Sequence, residues 1–414
     1  MKSVLTFLLA GGRGERLRPL TKSRAKPLLP FLGSHRLIDF TVFNCIRSWI
    51  FRVLALTCNA SIELDLSSQS SSKSSQEKLL ETMDGEGWVK NLEEPGYAGT
   101  ADAVRQNLSK ITRPIEEVLI LAGDHVYDMD YRELLDFHRR KGAMVTVGGS
   151  EVDWAEAKRL GILESDSEGR VTAFREKPCD TEEPRRRAPK ALASMGIYVF
   201  DADFLSKVLR RVPGNDFGHN VLPAVLDCRK VFAFNPAGRG GEPLPWKDVG
   251  TIDSYWDTQI EILKTEQKFR VPPGPGEGWL SWRWAERTPR DRQSGSSEIE
   301  CLPPLVHGQV FHSALSPGVV VTAGADVSDS VLLEGAIVER GARLRRAVVD
   351  RGAVVPAFSE IGFDREKDEE EYFVSEGGAV VVTPRGPAVK LGEIPEAYPA
   401  PRAGRHVWSE IFLG

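Results

Sequence analysis

Near the N-terminus an apolar run opens into Leu8-Leu9-Ala10-Gly11-Gly12-Arg13-Gly14-Glu15-Arg16-Leu17, followed by Pro19-Leu20-Thr21 and Arg24-Ala25-Lys26-Pro27. A strand feeding a glycine loop lets backbone N–H groups approach a phosphate chain that a Cβ would keep at a distance. Leu9, Ala10, Gly11, Gly12 and Gly14 supply that backbone, and Arg13, Arg16 and Lys26 supply cations for a triphosphate or pyrophosphate. The loop lacks the GK[ST] of a Walker A loop and has Leu17 where GxGxxG ends in glycine, which disfavours both of those loops. Two carboxylates add to the set. Asp124 follows the apolar run Val118–Ala122, at a strand's carboxyl end, where open α/β sheets hold their ligands. Asp248 follows a Pro-rich turn far along the chain. Brought together, two such groups suit Mg²⁺, a hard cation that takes few protein oxygens and leaves positions for substrate phosphates. Taken alone, Asp124 is equally a turn-forming residue after a glycine.

The elements that must position these residues alternate strand and helix over roughly the first 260 residues. Strands are predicted at Val4–Leu9, Val53–Thr57, Val118–Ala122, Met144–Gly148, Val171–Phe174 and Met195–Phe200, and helices at Asp39–Ser48, Ala101–Leu108, Tyr131–Lys141 and Asp203–Arg210. This rhythm predicts a Rossmann-like α/β domain around a mixed, mainly parallel sheet. A Ser-rich patch at 67–75 reads as a surface loop, and the Pro/Gly/Arg/Trp-rich stretch 271–304, with Trp279, Trp282 and Trp284, as a linker that packs on something. Beyond it a G-A-x-[VL] unit recurs at Gly324–Val327, Gly335–Val338, Gly341–Leu344 and Gly352–Val355, with a period of 17 residues between alternate units. That phasing predicts a parallel β-helix of about two clear coils in preference to a β-sandwich. Asp364–Glu371 (DREKDEEE) reads as a solvated charged turn. The divisions are 1–268, catalytic; 269–304, linker; and 305–414, β-helix.

The N-terminal motif GG-x-G-x-RL…L-T…R-A-K-P resembles that of the sugar nucleotidyltransferases. Further stretches resemble their glucose-1-phosphate adenylyltransferase branch: Arg36–Phe40 with Asn44–Ile46, Gly99–Ala103, Leu121–Tyr127, Glu176–Pro178, Ala193–Phe200, Asp216–Gly218 and Trp246–Thr251. The resemblance covers nearly the whole chain and implies a left-handed parallel β-helix behind the catalytic domain. It implies that a phosphate oxygen of glucose 1-phosphate attacks the α-phosphorus of ATP, releasing pyrophosphate and giving ADP-glucose, the first committed step of glycogen synthesis. Asp124 and Asp248 would then hold Mg²⁺, and Arg13 and Lys26 would stabilise the leaving pyrophosphate. Gly99, Thr100 and Asp124 would join the glycine loop around the nucleotide. Tyr97, Gly99, Glu176, Lys177, Ser194 and Gly196 would line the sugar phosphate, with Glu176 on the hydroxyls and Lys177 on the phosphate. The attacking group is already a nucleophile, so no Ser/His/Asp triad is needed, and none is visible.

The resemblance also implies a homotetramer assembled through the β-helices, a sugar-phosphate activator and inhibition by AMP where the two domains meet. Arg351 and Arg385 are candidate anion contacts or, equally, solvated surface arginines. Three places depart from the family pattern: Thr57-Cys58-Asn59-Ala60, Gly96-Tyr97-Ala98, and His219 after Asp216-Phe217-Gly218. They spare the candidate metal and phosphate residues and fall on loops near the base and the regulator. Rival readings are the same fold with another nucleotide or sugar phosphate, a low-activity regulatory subunit, and an acyltransferase β-helix. The last would need a catalytic His within many coils, whereas His307 and His312 precede the repeat.

The chain's 414 residues exceed a single ordinary core, and its formal charge of −5 provides no general field for nucleic acid or an acidic membrane. Five scattered cysteines without CxxC spacing suit reduced thiols in a cytoplasmic protein, and no apolar run is long enough to span a bilayer.

Overall fold

The computed structural model describes residues 3–11, 14–22, 24–57, 62–65, 89–93, 96–111, 114–179, 188–236, 238, 242–265, 271–272, 283–286 and 303–384; of 62–65, 89–93 and 283–286 it describes the backbone alone. In chain order the α/β unit contains β1 (Ser3–Leu9), α1 (Leu37–Arg47), β2 (Val53–Thr57), β3 (Val89–Glu93), α2 (Thr100–Gln106), β4 (Ile115–Ala122), β5 (His125–Tyr127), α3 (Tyr131–Lys141) and β6 (Val145–Val152). There follow β7 (Gly161–Ser165), β8 (Val171–Glu176), β9 (Ala191–Asp201), α4 (Ala202–Arg211), β10 (Val231–Phe234), β11 (Trp246–Asp248) and α5 (Ile252–Thr265).

Among the described residues the main sheet has nine strands, ordered β8-β7-β9-β4-β1-β2-β3, with β6 paired to β9 and β10 paired to β6. The β4–β1–β2–β3 half is parallel, whereas β9 runs antiparallel to β4, β6 and β7. Val118 to Leu121 are fully buried, as expected of a central strand covered on both faces. The predicted strands and helices all occur, with ends shifted by a few residues.

The G-A-x-[VL] repeat becomes a parallel β-helix with three sheets. Val320 pairs with Ile337 and Ile337 with Val354, so each coil advances by the 17-residue period read from the sequence. The four repeat glycines turn the corners at φ of 77°, 67°, 68° and 65°, a region closed to most side chains. Each following alanine and each closing Val or Leu is buried in the coil interior. The strands continue to both sides of the repeat, giving four rungs in two of the sheets where the motif alone marked two coils.

One expectation for the connecting segments changed and one held in part. Arg365–Glu371 is a helix and not a turn: Asp364 caps it by accepting from the Lys367 N–H, and Asp368 turns inward to accept from the Gly362 N–H at 2.9 Å. Of the Trp-bearing linker, Arg283–Glu286 form a strand antiparallel to Ile62–Asp65, so that part packs as expected. Trp279, Trp282 and the Ser-rich patch lie outside the described residues.

The two units share a core. Leu17, Leu29, Phe31, Phe40, Val249, Ile252, Tyr255 and Trp256 of the α/β unit pack with Ala314, Val331, Val348 and Val381 of the β-helix. Polar contacts reinforce it: Trp256 Nε1 donates to Asp329 O at 2.7 Å, and Arg24 approaches Glu334 and Asp350 at 3.4 and 3.6 Å.

Candidate active site

The carboxyl ends of β1 and β4 are tied together by Gly123 N–H donating to Leu9 O at 3.0 Å, while Ala10 N–H donates to Leu56 O at the end of β2. Gly14 closes the loop after β1 at φ 62°, and Thr21 Oγ1 donates to its carbonyl at 2.7 Å. A Cβ there would stand 2.8 Å from the Thr21 methyl and 3.0 Å from Lys26 Cβ, so a glycine lets Lys26 pack under the loop. Gly12, Arg13 and Arg385 lie outside the described residues.

Asp124 and Asp248 meet because β5 and β11 form a short antiparallel ribbon, with Asp248 opposite His125. Lys26 Nζ lies between the carboxylates, 2.7 Å from Asp124 Oδ2 and 3.6 Å from Asp248 Oδ1. Burial works against the charge on Lys26, but the two carboxylates outweigh it and hold the ammonium pKa above its ordinary value. Burial likewise opposes ionisation of Asp124, yet Lys26 first and His125 second hold its carboxyl well below the usual range. Lys26 and Asp124 are thus both charged, and the cluster is partly open, with Asp124 and Asp248 29% and 24% exposed. Arg16 reaches the same corner: a Cβ on Gly250 would stand 3.1 Å from Arg16 Nη2 and 3.3 Å from Asp248 Oδ2. Two converging carboxylates that already attract an ammonium fit a hard divalent cation, with phosphate oxygens and water completing its shell.

His125 belongs to this cluster, and sequence reasoning assigned it no role. Its Nε2 is 3.5 Å from Asp124 Oδ1 and 3.7 Å from Asp248 Oδ1, and its Nδ1 faces Met195 O at 2.9 Å. Its position beside Asp124 was the available signal. The Trp246 ring packs edge-on to the imidazole at 5.3 Å.

The candidate sugar residues lie on neighbouring elements. Between Ser194 and Ile197 the β9–β6 register shifts, and Gly196, at φ 66°, comes so close to the carboxylate corner that a Cβ would lie 3.3 Å from His125 Cε1. Glu176 ends β8 in a space left by two glycines that sequence reasoning gave no role. A Cβ on Gly218 or Gly161 would stand 2.6 or 2.7 Å from Glu176 Oε2. Burial, more than the charges of Lys177 and His219 can offset, raises the Glu176 pKa. Lys177 has φ 47°, is about half exposed and places Nζ 3.7 Å from Glu176 Oε1. Gly99 and Thr100 are docked against the Asp216-Phe217-Gly218 segment. Ala101 N–H donates to Asn215 O, Thr100 Oγ1 donates to Asp216 Oδ2 at 3.0 Å, and a Cβ on Gly99 would meet Asn215 O at 2.4 Å. Tyr97 accepts from Asn107 Nδ2 at 3.0 Å and packs on the core beside α2. Arg351 stands apart from all these, on an exposed β-helix corner after Asp350, the residue that faces Arg24.

This arrangement, a glycine loop at strand carboxyl ends beside a carboxylate pair and its lysine, is that of a nucleotide-transferring enzyme. The nucleotidyl transferase family model matches residues 5–265, and the GlmU-like C-terminal hexapeptide model matches residues 299–382. The chain is 37% identical to the glucose-1-phosphate adenylyltransferase of Methylococcus capsulatus over 92% of this chain and 94% of the relative. It is 36% identical to that of Nitrosococcus oceani at the same coverage, and 33% identical to glucose-1-phosphate adenylyltransferase 2 of Vibrio cholerae over 92% of this chain and 98% of the relative. The chain belongs to the nucleotidyl transferase family and, within it, to the glucose-1-phosphate adenylyltransferases.

Proposed function

We propose that this chain transfers the adenylyl group of ATP to glucose 1-phosphate, forming ADP-glucose and pyrophosphate. The observation that carries the reading is the convergence of Lys26, Asp124 and Asp248 beside the Gly14 loop, with Gly196 of the candidate sugar residues set against His125 at the same corner. A phosphate oxygen of the sugar phosphate forms a bond to the α-phosphorus, and the bond from that phosphorus to the bridging oxygen of pyrophosphate breaks. No proton has to be removed from the nucleophile, so the work is positioning and charge neutralisation. Asp124 and Asp248 would hold Mg²⁺, which when bound draws charge from the phosphate oxygens. Lys26, with Arg16 and the proposed Arg13, binds the departing phosphates. Glu176 accepts from sugar hydroxyls, and Lys177, with Nζ exposed at the rim, meets the sugar phosphate. Pyrophosphate release on mixing the protein with ATP, glucose 1-phosphate and Mg²⁺ tests the reading.

The product would donate glucose to a growing α-glucan. We also propose the division of labour at 1–268, 269–304 and 305–414, and regulation by a phosphorylated sugar and AMP at the junction near Arg24, Asp350 and Arg351. A homotetramer is proposed on the strength of one β-helix face. Leu305, Val320, Ile337 and Val354 lie in register, with Ile337 and Val354 exposed. Four stacked apolar side chains on an outer sheet suit burial against another copy. Among the described residues, no helix is long and apolar enough to cross a membrane.

A further inference from the structure

Asp253 lies in the first turn of α5, shortly after Asp248. Its carboxylate reaches across to the β-helix: Oδ1 accepts from Ser375 Oγ at 2.5 Å and Oδ2 from the Gly377 N–H at 3.0 Å. The turn that makes these bonds is itself braced. Ser375 N–H donates to Ala379 O, and Ala379 N–H donates to Ser375 Oγ at 2.8 Å. A Cβ on Gly377 would stand 2.5 Å from Asp253 Oδ1, so glycine is what lets the carboxylate seat.

The link from Asp253 back to Asp248 is short and stiff. Thr251 N–H donates to Ser254 Oγ at 2.9 Å, Ser254 N–H donates back to Thr251 Oγ1 at 3.2 Å, and Tyr255 N–H donates to Thr251 O. Val249 is fully buried in the core shared by the two units. Farther along α5, Trp256 and Lys264 hold the helix to Asp329, so removing the Asp253 contact leaves the helix docked and frees only its start.

We propose that Asp253 is a positioning residue for Asp248: the Ser375–Gly377 turn grips it and thereby fixes where β11 presents the Asp248 carboxylate to Asp124 and Lys26. The inference rests on the proposed catalytic role of Asp248. A misplacement on the order of 1 Å in such a site costs about a hundredfold in rate, so partial release of one carboxylate should cost about tenfold.

The test uses full-length Asp253→Ala and Gly377→Ala proteins, which break the same contact from its two sides. Hydrogen exchange should rise in the segment from Trp246 to Ser254 and stay unchanged in β6 and β9. The kcat should fall about tenfold and the Mg²⁺ requirement should rise, with KM for glucose 1-phosphate little changed. Unchanged exchange in β11 overturns the proposal, and so does raised exchange with an unchanged kcat. A wild-type protein without turnover would refute the proposed reaction instead, and exchange in β11 would still decide whether the contact holds that strand.

Discussion

Lys26 is the residue on which the site's electrostatics turn. Buried beside two carboxylates, it holds the Asp124 carboxyl well below its usual range and is the cation that arriving phosphates would compete for. Replacing Asp124 or Asp248 with Asn removes a proposed metal ligand while keeping the shape, and kcat should fall by roughly 10²–10³ with the fold intact, checked by steady-state rates and circular dichroism. Lys177→Ala removes a charged bond worth about 2 kcal/mol, so KM for glucose 1-phosphate should rise roughly thirtyfold and KM for ATP should change little. A comparable rise in both would refute its assignment. Most of these side chains were legible, because Gly-rich loops and carboxylates after apolar runs announce themselves. His125 was passed over although it adjoins Asp124 in the sequence, because its approach to Asp248 comes from two chain segments meeting across the β5–β11 ribbon.

At the scale of elements, periodicity carried the strands and helices, and phased Gly-Ala pairs carried the coils. The Arg365–Glu371 helix escaped because charge density masked what fixes it: a capping Asp364 and a single inward residue, Asp368, whose partner is a backbone N–H. Gly161 and Gly218 escaped for another reason. Their importance is space for Glu176, and a space is defined only once β7, β8 and the Asp216–Gly218 segment come together. Gly218→Ala should push the Glu176 carboxylate aside and raise KM for glucose 1-phosphate about tenfold. KM for ATP is the internal control, and equal effects on both would mean that the loop as a whole and not the Glu176 carboxylate alone had moved.

Over the whole molecule, the β-helix is part of the scaffold that supports the site. The shared core reaches from Leu17, beside the glycine loop, through Val249, next to Asp248, to the coil interior. The sequence showed two textures joined by a linker, but that interlock depends on residues hundreds of positions apart. The outer ladder gives a separate prediction. Ile337→Glu with Val354→Glu should lower the particle mass in sedimentation while leaving the coils folded, because both side chains are exposed in the single chain. An unchanged mass would refute assembly through that face. The central claim is tested most directly by pyrophosphate release with glucose 1-phosphate and Mg²⁺, comparing ATP with UTP, TTP and GTP. The account predicts turnover with ATP well above the others, lowered roughly 10²–10³-fold by Asp248→Asn; no turnover with any triphosphate, with or without sugar-phosphate activators, or a preference for UTP, TTP or GTP, would contradict it.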